Sequence, residues 1–241
     1  MSQLLEQNVD TVSESVAIVA TAGNLAGVLS YPQDRPTIGR LVVAGPHPLL
    51  GGTMENNVVR AVAEGMAAQG WITLRFDYRG VGNSEGPSMC DAEAMQSFWK
   101  TSEVHDECER WTDLRDASRW LCELDESMQP LVVVAYSFGN WVLSHWLEQN
   151  GKPDVVVGIA PTLDQHDLKS LAQTSVPKLV LAAEADFATR AESIQAALPS
   201  WKNTKTEWAT DRDGHFFRGH EPWLCQRITN FLSDLQAEAS P

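Results

Sequence analysis

The sequence predicts an α/β protein with a doubly wound, mostly parallel β-sheet flanked by helices. Continuous apolar runs, such as residues 41–44 and 131–135, are typical of strands that are buried on both faces of a parallel sheet. These runs alternate with segments of helical periodicity, which is the pattern of βαβ units. Residues 16–29 alternate apolar and polar positions around Gly23-Asn24, so we expect an antiparallel hairpin ahead of the parallel strands.

The first half of the chain supplies the hairpin, two buried strands and two helices. The first buried strand, residues 41–44, is followed by a helix over 54–69, whose apolar positions recur every four residues at Val58, Val62 and Met66. The next strand, 71–76, ends in a turn-rich stretch. A second helix follows, with apolar residues at spacings of three and four: Leu114, Ala117, Leu121 and Leu124.

The second half continues the same alternation to its end. We expect strands over residues 131–135, 155–160, 178–183 and 204–210, with helices over 138–149 and 188–198. Pro222 is suited to the first position of a last helix. The apolar face of that helix consists of Leu224, Ile228, Phe231, Leu232 and Leu235. Because no linker or repeat interrupts the chain, we predict one domain over residues 1–241.

Composition limits the classes of function. The 241 residues are 43% hydrophobic and 21% charged, as in ordinary globular proteins, and the net charge of −14 disfavours nucleic-acid binding. No apolar run is long enough to span a bilayer, and residues 1–15 lack the features of a signal peptide. The cysteines form no CxxC pair and are expected to be reduced: Cys90, Cys108, Cys122 and Cys225. We therefore predict a cytoplasmic protein.

A candidate nucleophile lies where the strand over 131–135 meets the next helix. Residues 135–139 read A-Y-S-F-G, which is the G-x-S-x-G nucleophile elbow with Ala135 at the first glycine. Small residues on both sides of Ser137 allow strand and helix to approach, and the helix N-terminus favours negative charge near the serine. The simpler interpretation is a serine at a helix N-cap. Asn140, where a small residue is more usual, is expected to loosen the packing.

Three motifs in this order resemble those of the α/β-hydrolase superfamily over about residues 38–236. Besides the elbow, they are G-P-H-P-L-L-G-G at residues 45–52 and D-Y-R-G-V-G-N-S at 77–84. The first is similar to the oxyanion loop of small, capless bacterial serine hydrolases of the esterase and dienelactone-hydrolase kind, with Gly45 in place of a histidine. The resemblance implies an α/β-hydrolase fold, and the short segment 162–177 implies the absence of a large cap domain. Asp77 and Arg79 are expected to brace turns near the site.

The resemblance implies a catalytic triad in the chain order serine, acid, histidine. It assigns Ser137 as nucleophile, Asp186 as acid and His215 as general base. Glu184 is the nearby competitor for the acid, and His220 is the alternative base.

The family's oxyanion hole uses two backbone N–H groups. The resemblance places one at Phe138, directly after the nucleophile, and the other in the loop at 45–50. Pro46 and Pro48 have no N–H to donate, so His47 best fits the second position, with Leu49 as the alternative.

Residues 85–110 form a longer segment than the compact family pattern needs. The simple prediction is an ordered surface loop with a short helix, and the alternative is a lid that supplies an apolar wall to the substrate pocket. The large apolar residues in this segment are Met89, Met95, Phe98 and Trp99.

The sequence thus predicts a serine hydrolase that cleaves a small carboxylic ester or thioester through an acyl-enzyme, without a cofactor. No metal is expected, because His105, His145 and His166 lack ligand-like spacing. One alternative, motivated by the departures at Ala135, Asn140 and Gly45, is a catalytically silent hydrolase-fold protein that binds a ligand or partner. Another is an amide or peptide-bond hydrolase with the same triad, because the pocket and not the triad selects the bond.

Overall fold

The computed structural model describes residues 10–88, 92–101, 107–124, 130–210 and 214–239. Its strands are β1 (Thr11–Ala20), β2 (Gly23–Pro32), β3 (Arg40–Ala44), β4 (Ile72–Phe76), β5 (Leu131–Tyr136), β6 (Val155–Ile159), β7 (Lys178–Ala183) and β8 (Thr204–Ala209). Its helices are α1 (Asn57–Ala68), α2 (Ala92–Thr101), α3 (Trp111–Glu123), α4 (Gly139–Glu148), α5 (Lys169–Gln173), α6 (Ala191–Ala197) and α7 (Glu221–Ala239). Met89, Cys90 and His105, named above, lie outside the described residues.

The strands form one sheet in the order β1-β2-β4-β3-β5-β6-β7-β8. β1 pairs with β2 and β2 with β4 in antiparallel fashion, and every pair from β4 to β8 is parallel. The predicted fold class, a mostly parallel sheet with an N-terminal hairpin and flanking helices, is confirmed. The hairpin turns at residues 21–22, one step before the predicted Gly23, which instead opens β2 with a φ of 105°.

The apolar runs of the central strands are buried on both faces of the sheet. In β3, Val42 belongs to the core on one face and Val43 to the core on the other, as the two-residue side-chain period of a strand requires. The first core includes side chains of α3 and α4, such as Leu114 and Leu143. The second includes side chains of α1 and α7. The sheet is therefore covered by helices on both sides.

Two helices lie in segments for which no helix limits were predicted, although a short helix was expected within 85–110. α5 is a five-residue helix within 162–177, and it is held by the buried Leu171. α2 lies within 85–110 and buries none of its described residues completely. The last helix begins at Glu221, one residue before the expected Pro222.

The topology gathers the predicted site residues at one edge of the sheet. The loop after β3, the elbow after β5 and the segments after β7 and β8 all follow the carboxyl ends of parallel strands. Ligand sites in open α/β sheets lie at this edge.

Candidate active site

The turn between β5 and α4 places Ser137 in a strained backbone conformation. Ser137 has a φ of 55°, a left-handed value that costs a non-glycine residue about 1–2 kcal/mol. Its N–H donates to the carbonyl of Ile159 in β6 at 2.9 Å. Gly139 is required for the close approach of α4 to β3, because a Cβ there would lie 2.4 Å from the carbonyl oxygen of Ala44. Ala135 is fully buried in the sheet and fits the position of the first motif glycine.

Asn140 makes hydrogen bonds within the elbow through Nδ2, while its buried Oδ1 has no partner among the described residues, so the expectation that it loosens the packing stays a prediction. Its fully buried side-chain Nδ2 lies within 3.2 Å of three carbonyl oxygens, those of Ala135, Ser137 and Ile159. Gly158 makes room for the amide, since a Cβ at that position would lie 2.6 Å from the Asn140 Oδ1. The side chain thus links β5, the turn and β6.

Ser137, His215 and Asp186 form a continuous hydrogen-bond chain. The Nε2 of His215 lies 2.9 Å from the Oγ of Ser137, and its Nδ1 lies 2.9 Å from both carboxylate oxygens of Asp186. All three residues are buried. Asp186 Oδ1 also accepts the N–H of Ala188 at 2.7 Å, which orients the carboxylate. An ionised Asp186 places the ring proton on Nδ1 and leaves Nε2 to accept the serine proton.

The alternative acid, Glu184, and the alternative base, His220, form other backbone hydrogen bonds. Glu184 is exposed, and its backbone N–H bonds to Ala209 of β8, which extends the sheet. The N–H of His220 donates to the carbonyl of Phe217 directly before α7. Among the described residues, His215 and Asp186 form the hydrogen-bond chain to Ser137.

A tight turn and a tyrosine hold His215 in place. Gly214, with a φ of 32°, passes so close to the β7 loop that a Cβ would lie 2.1 Å from the carbonyl oxygen of Ala185. The Oη of Tyr136 donates to the carbonyl of His215 at 2.9 Å. Burial raises the pKa of Tyr136, so its hydroxyl remains a neutral donor. Asp213, which belongs to the same motif, lies outside the described residues.

Several backbone N–H groups of the loop after β3 already donate hydrogen bonds within the loop. The N–H of Leu49 donates to the His47 Nδ1 at 3.1 Å, and those of residues 50–52 donate to the carbonyls of His47 and Pro48. Within the described part of the chain, neither the N–H of His47 nor that of Phe138 donates to another residue. The alternative amide, that of Leu49, is therefore occupied.

A pocket of about 510 Å³ opens beside Ser137. Phe98 and the exposed Trp99 of α2 form part of its wall, and His166, bonded through Nδ1 to Thr162 Oγ1 at 2.8 Å, forms another part. Burial lowers the pKa of His166, so its ring is neutral at physiological pH. The pocket is lined by His47, Leu50, Phe98, Trp99, Glu107, Ser137, Phe138, Thr162, Gln165 and His166.

Glu107 is a residue of the pocket that the sequence does not reveal. Its Oε1 lies 2.5 Å from the Nε2 of His47, and both residues are buried. It follows the α2 segment, and no motif surrounds it. Only the extra length of residues 85–110 indicates that this part of the chain contributes to the site.

Asp77 and Arg79 brace turns near the site, as expected. Asp77 accepts the N–H of Met54 at 2.7 Å, and burial raises the pKa of its carboxyl group. Arg79 Nε donates to the buried Asp113 at 2.7 Å, which joins the turn after β4 to α3.

In the described part of the chain, no three histidine, cysteine or acidic side chains are grouped so that they could hold a metal ion. The cysteines in that part, Cys108, Cys122 and Cys225, are unpaired. None of the helices within the described ranges has the length and apolar character needed to cross a bilayer.

Comparison with known proteins identifies the class. The profile of the alpha/beta hydrolase family matches residues 20–237, and the chain belongs to this family. The chain is also 24% identical over 204 residues to an uncharacterized protein of Rickettsia prowazekii, with 81% of this chain and 79% of that protein covered.

Solved structures share the fold at low sequence identity. An alpha-beta serine hydrolase homologue from Coxiella burnetii has a TM-score of 0.73 at 23% identity, with 90% of this chain and 96% of the other covered. A serine hydrolase without a lid from Xanthomonas campestris gives 0.74 at 20%, covering 92% and 94%. Est1E from Butyrivibrio proteoclasticus, solved with ferulic acid, gives 0.73 at 15%, covering 92% and 99%.

Proposed function

We propose that this protein is a serine hydrolase that cleaves small carboxylic esters or thioesters. The observation that carries the proposal is the position of His215, whose two ring nitrogens lie 2.9 Å from Ser137 Oγ and from the Asp186 carboxylate. A serine needs an adjacent base to act as a nucleophile, and the base needs a partner that orients it. No cofactor is needed for this chemistry.

In the first half of the reaction, Ser137 Oγ attacks the substrate carbonyl while His215 Nε2 takes the serine proton. Asp186 stabilises the resulting imidazolium through Nδ1. The carbonyl oxygen becomes an oxyanion, which accepts hydrogen bonds from the backbone N–H groups of Phe138 and His47. His215 then gives its proton to the departing alcohol or thiol, and an acyl-enzyme remains on Ser137.

Water completes the reaction by the same route. His215 takes a proton from the water as it attacks the acyl carbonyl, the two N–H groups again hold the oxyanion, and Ser137 recovers its proton as the carboxylic acid leaves. The volume of about 510 Å³ beside the serine suits a small acyl or alcohol group.

The first test is labelling of the serine with a fluorophosphonate probe, followed by peptide mapping. We expect label on Ser137 in the wild type and none in Ser137→Ala. If Ser137 is labelled, fresh wild type that has not met the probe would then be assayed on matched ester, thioester and anilide substrates, and faster anilide cleavage would favour the amide hydrolase. A well-folded wild type that takes no label would refute the proposal and favour a silent ligand-binding protein.

We also propose that α2 acts as a lid over the pocket. Phe98 and Trp99 line the pocket, while Trp99 is 73% exposed, as expected of a wall that packs against a substrate. Trp99→Ala is expected to lower kcat/KM for esters with bulky acyl groups by about three- to tenfold, with acetyl esters little changed. Lys100→Ala, an exposed change on the same helix, is the control. An equal effect on both ester classes would argue against the lid.

A further inference from the structure

The ring of His47 holds the turn that contains the candidate oxyanion amide. His47 is the N-cap of a short 3-10 turn, Pro48–Leu50, and its Nδ1 accepts the N–H of Leu49 at 3.1 Å. The carbonyl of His47 accepts the N–H groups of Leu50 and Gly52. These bonds use the N–H groups of Leu49, Leu50 and Gly52, whereas within the described residues the backbone N–H of His47 donates to none.

The hydrogen bond to Nδ1 determines where the ring carries its proton. Because Nδ1 accepts, it has no proton, and the proton of the neutral ring lies on Nε2. Nε2 lies 2.5 Å from Glu107 Oε1, and an ionised carboxylate can only accept. In the other tautomer, the Nδ1–H would face the N–H of Leu49, and two donors would oppose each other.

The surrounding residues keep this arrangement from relaxing. The His47 ring lies between the rings of Phe98 and Phe138, at centroid distances of 4.9 and 4.8 Å. His47 is 6% exposed and Glu107 is 8% exposed, so water has little access to replace either hydrogen bond. Phe138 also carries the second candidate oxyanion amide.

We propose that Glu107 is a positioning residue for the oxyanion hole. By accepting the Nε2 proton of His47, Glu107 keeps Nδ1 free to cap the turn at Pro48–Leu50 and so fixes the backbone N–H of His47 toward the substrate oxygen. The inference rests on the proposed function, since it assigns a role within that reaction. The proposal gives Glu107, which follows α2 in the chain, a role other than lining the pocket.

The first experiment compares two substitutions at this position. Glu107→Ala removes the acceptor and is expected to lower kcat on a neutral ester by about 10- to 100-fold with KM changed less than about threefold, because an oxyanion donor acts in the transition state. Glu107→Gln keeps an oxygen that can accept from Nε2 and is expected to stay within about fivefold of wild type. Equal losses in both variants, or a loss confined to KM, would overturn the proposal.

The second experiment asks whether Glu107 acts through the His47 ring. In His47→Asn, the side-chain oxygen can cap the turn without a choice of tautomer, since asparagine is a good N-cap residue. Adding Glu107→Ala in this background is expected to change kcat by less than about threefold relative to His47→Asn alone. If Glu107→Ala costs the same factor in both backgrounds, Glu107 acts through pocket shape or charge, and the proposal is wrong.

A third measurement does not depend on activity. Imidazole ¹⁵N spectra of the full chain are expected to show His47 protonated on Nε2 alone in the wild type, and a mixture of tautomers in Glu107→Ala. A wild-type ring protonated on Nδ1 would overturn the inference at any level of activity. The wild-type ring could show the expected tautomer while Ser137 reacts with no probe. That result would refute the proposed function but would still support the hydrogen bond between Glu107 and His47.

Discussion

At the scale of residues, the site depends on positions where a side chain would block the approach of two backbone segments. Gly139 lets α4 lie against Ala44, and Gly214 lets the His215 turn lie against Ala185. In both places a Cβ would lie less than 2.5 Å from a carbonyl oxygen, which no packing can tolerate. Gly139 and Gly214 take no part in the chemistry, but they allow the backbone approaches that position Ser137 and His215.

Replacement of the acid tests the assignment of Asp186 over Glu184. Asp186→Asn is expected to lower kcat/KM by about 10³- to 10⁴-fold, because an amide neither stabilises the imidazolium nor holds the required tautomer. The asparagine oxygen can still accept the N–H of Ala188, so the fold is expected to remain. Ester kinetics are the measurement, and Glu184→Gln is the control, expected within about twofold of wild type. Similar losses in both variants would contradict the assignment.

Asn140 allows a test of the elbow's stability. Asn140→Ala removes the amide that contacts three buried carbonyls, and we expect the free energy of unfolding to fall by about 1–3 kcal/mol. Urea unfolding measures the change. Gln149→Ala, at the exposed end of the same helix, is expected to change stability by less than about 0.5 kcal/mol. A variant as stable as wild type would show that Asn140 does not tie the strands together.

At the scale of elements, agreement between sequence and structure depends on burial. The central strands lie between two helical layers, and their unbroken apolar runs, such as residues 131–135, predict them well. α2 is at most partly buried, and it lies in the segment 85–110, where we expected a short helix without defined limits. α5 has only five residues, fewer than two turns, and so offers too short a span for helical periodicity.

The start of β7 contains a buried lysine whose charge links stability to pH. Burial, and then the charge of Lys202, lower the pKa of Lys178 from its ordinary value of 10.5 to about 8. Its Nζ donates to the carbonyls of Thr174 and Lys202. Between these two pH values the unfolded chain binds more protons at this site than the native protein, so the contribution of Lys178 to stability rises as pH rises.

We therefore expect wild type to gain stability relative to Lys178→Met as the pH increases from about 7.5 to about 10. Urea unfolding of both proteins at the two pH values gives the difference, and the comparison cancels groups that titrate equally in both. Lys205→Met, a change at an exposed residue of β8, serves as the control and should show little of this trend. A difference that shrinks with rising pH would contradict the lowered pKa.

At the scale of the whole molecule, charge is expected to select among substrates. The net charge is −14, and the described pocket lining contains Glu107 and neither lysine nor arginine. An ester with a carboxylate in its acyl group is expected to react about tenfold more slowly than a neutral ester of the same size, and added salt should narrow this gap by screening. The kcat/KM of both esters against ionic strength is the measurement. A faster anionic ester, or a gap unchanged by salt, would contradict the expectation.

The sequence by itself determined the alternation of buried strands and helices, and hence the fold class, because burial on both faces of a sheet requires continuous apolar runs. Its resemblance to the α/β-hydrolase family also implied Ser137, Asp186 and His215 as candidates, because each follows a strand in the family's motif order. Only the tertiary structure decided that His215 lies between the other two and that the Leu49 amide is occupied. It also decided that the Asn140 Nδ2 contacts three carbonyl oxygens and that Glu107 forms a hydrogen bond with His47. The physical reason is that the hydrogen bonds of His215 join it to residues as far as 79 positions away, and such partners are fixed only when the strands take their order in the sheet.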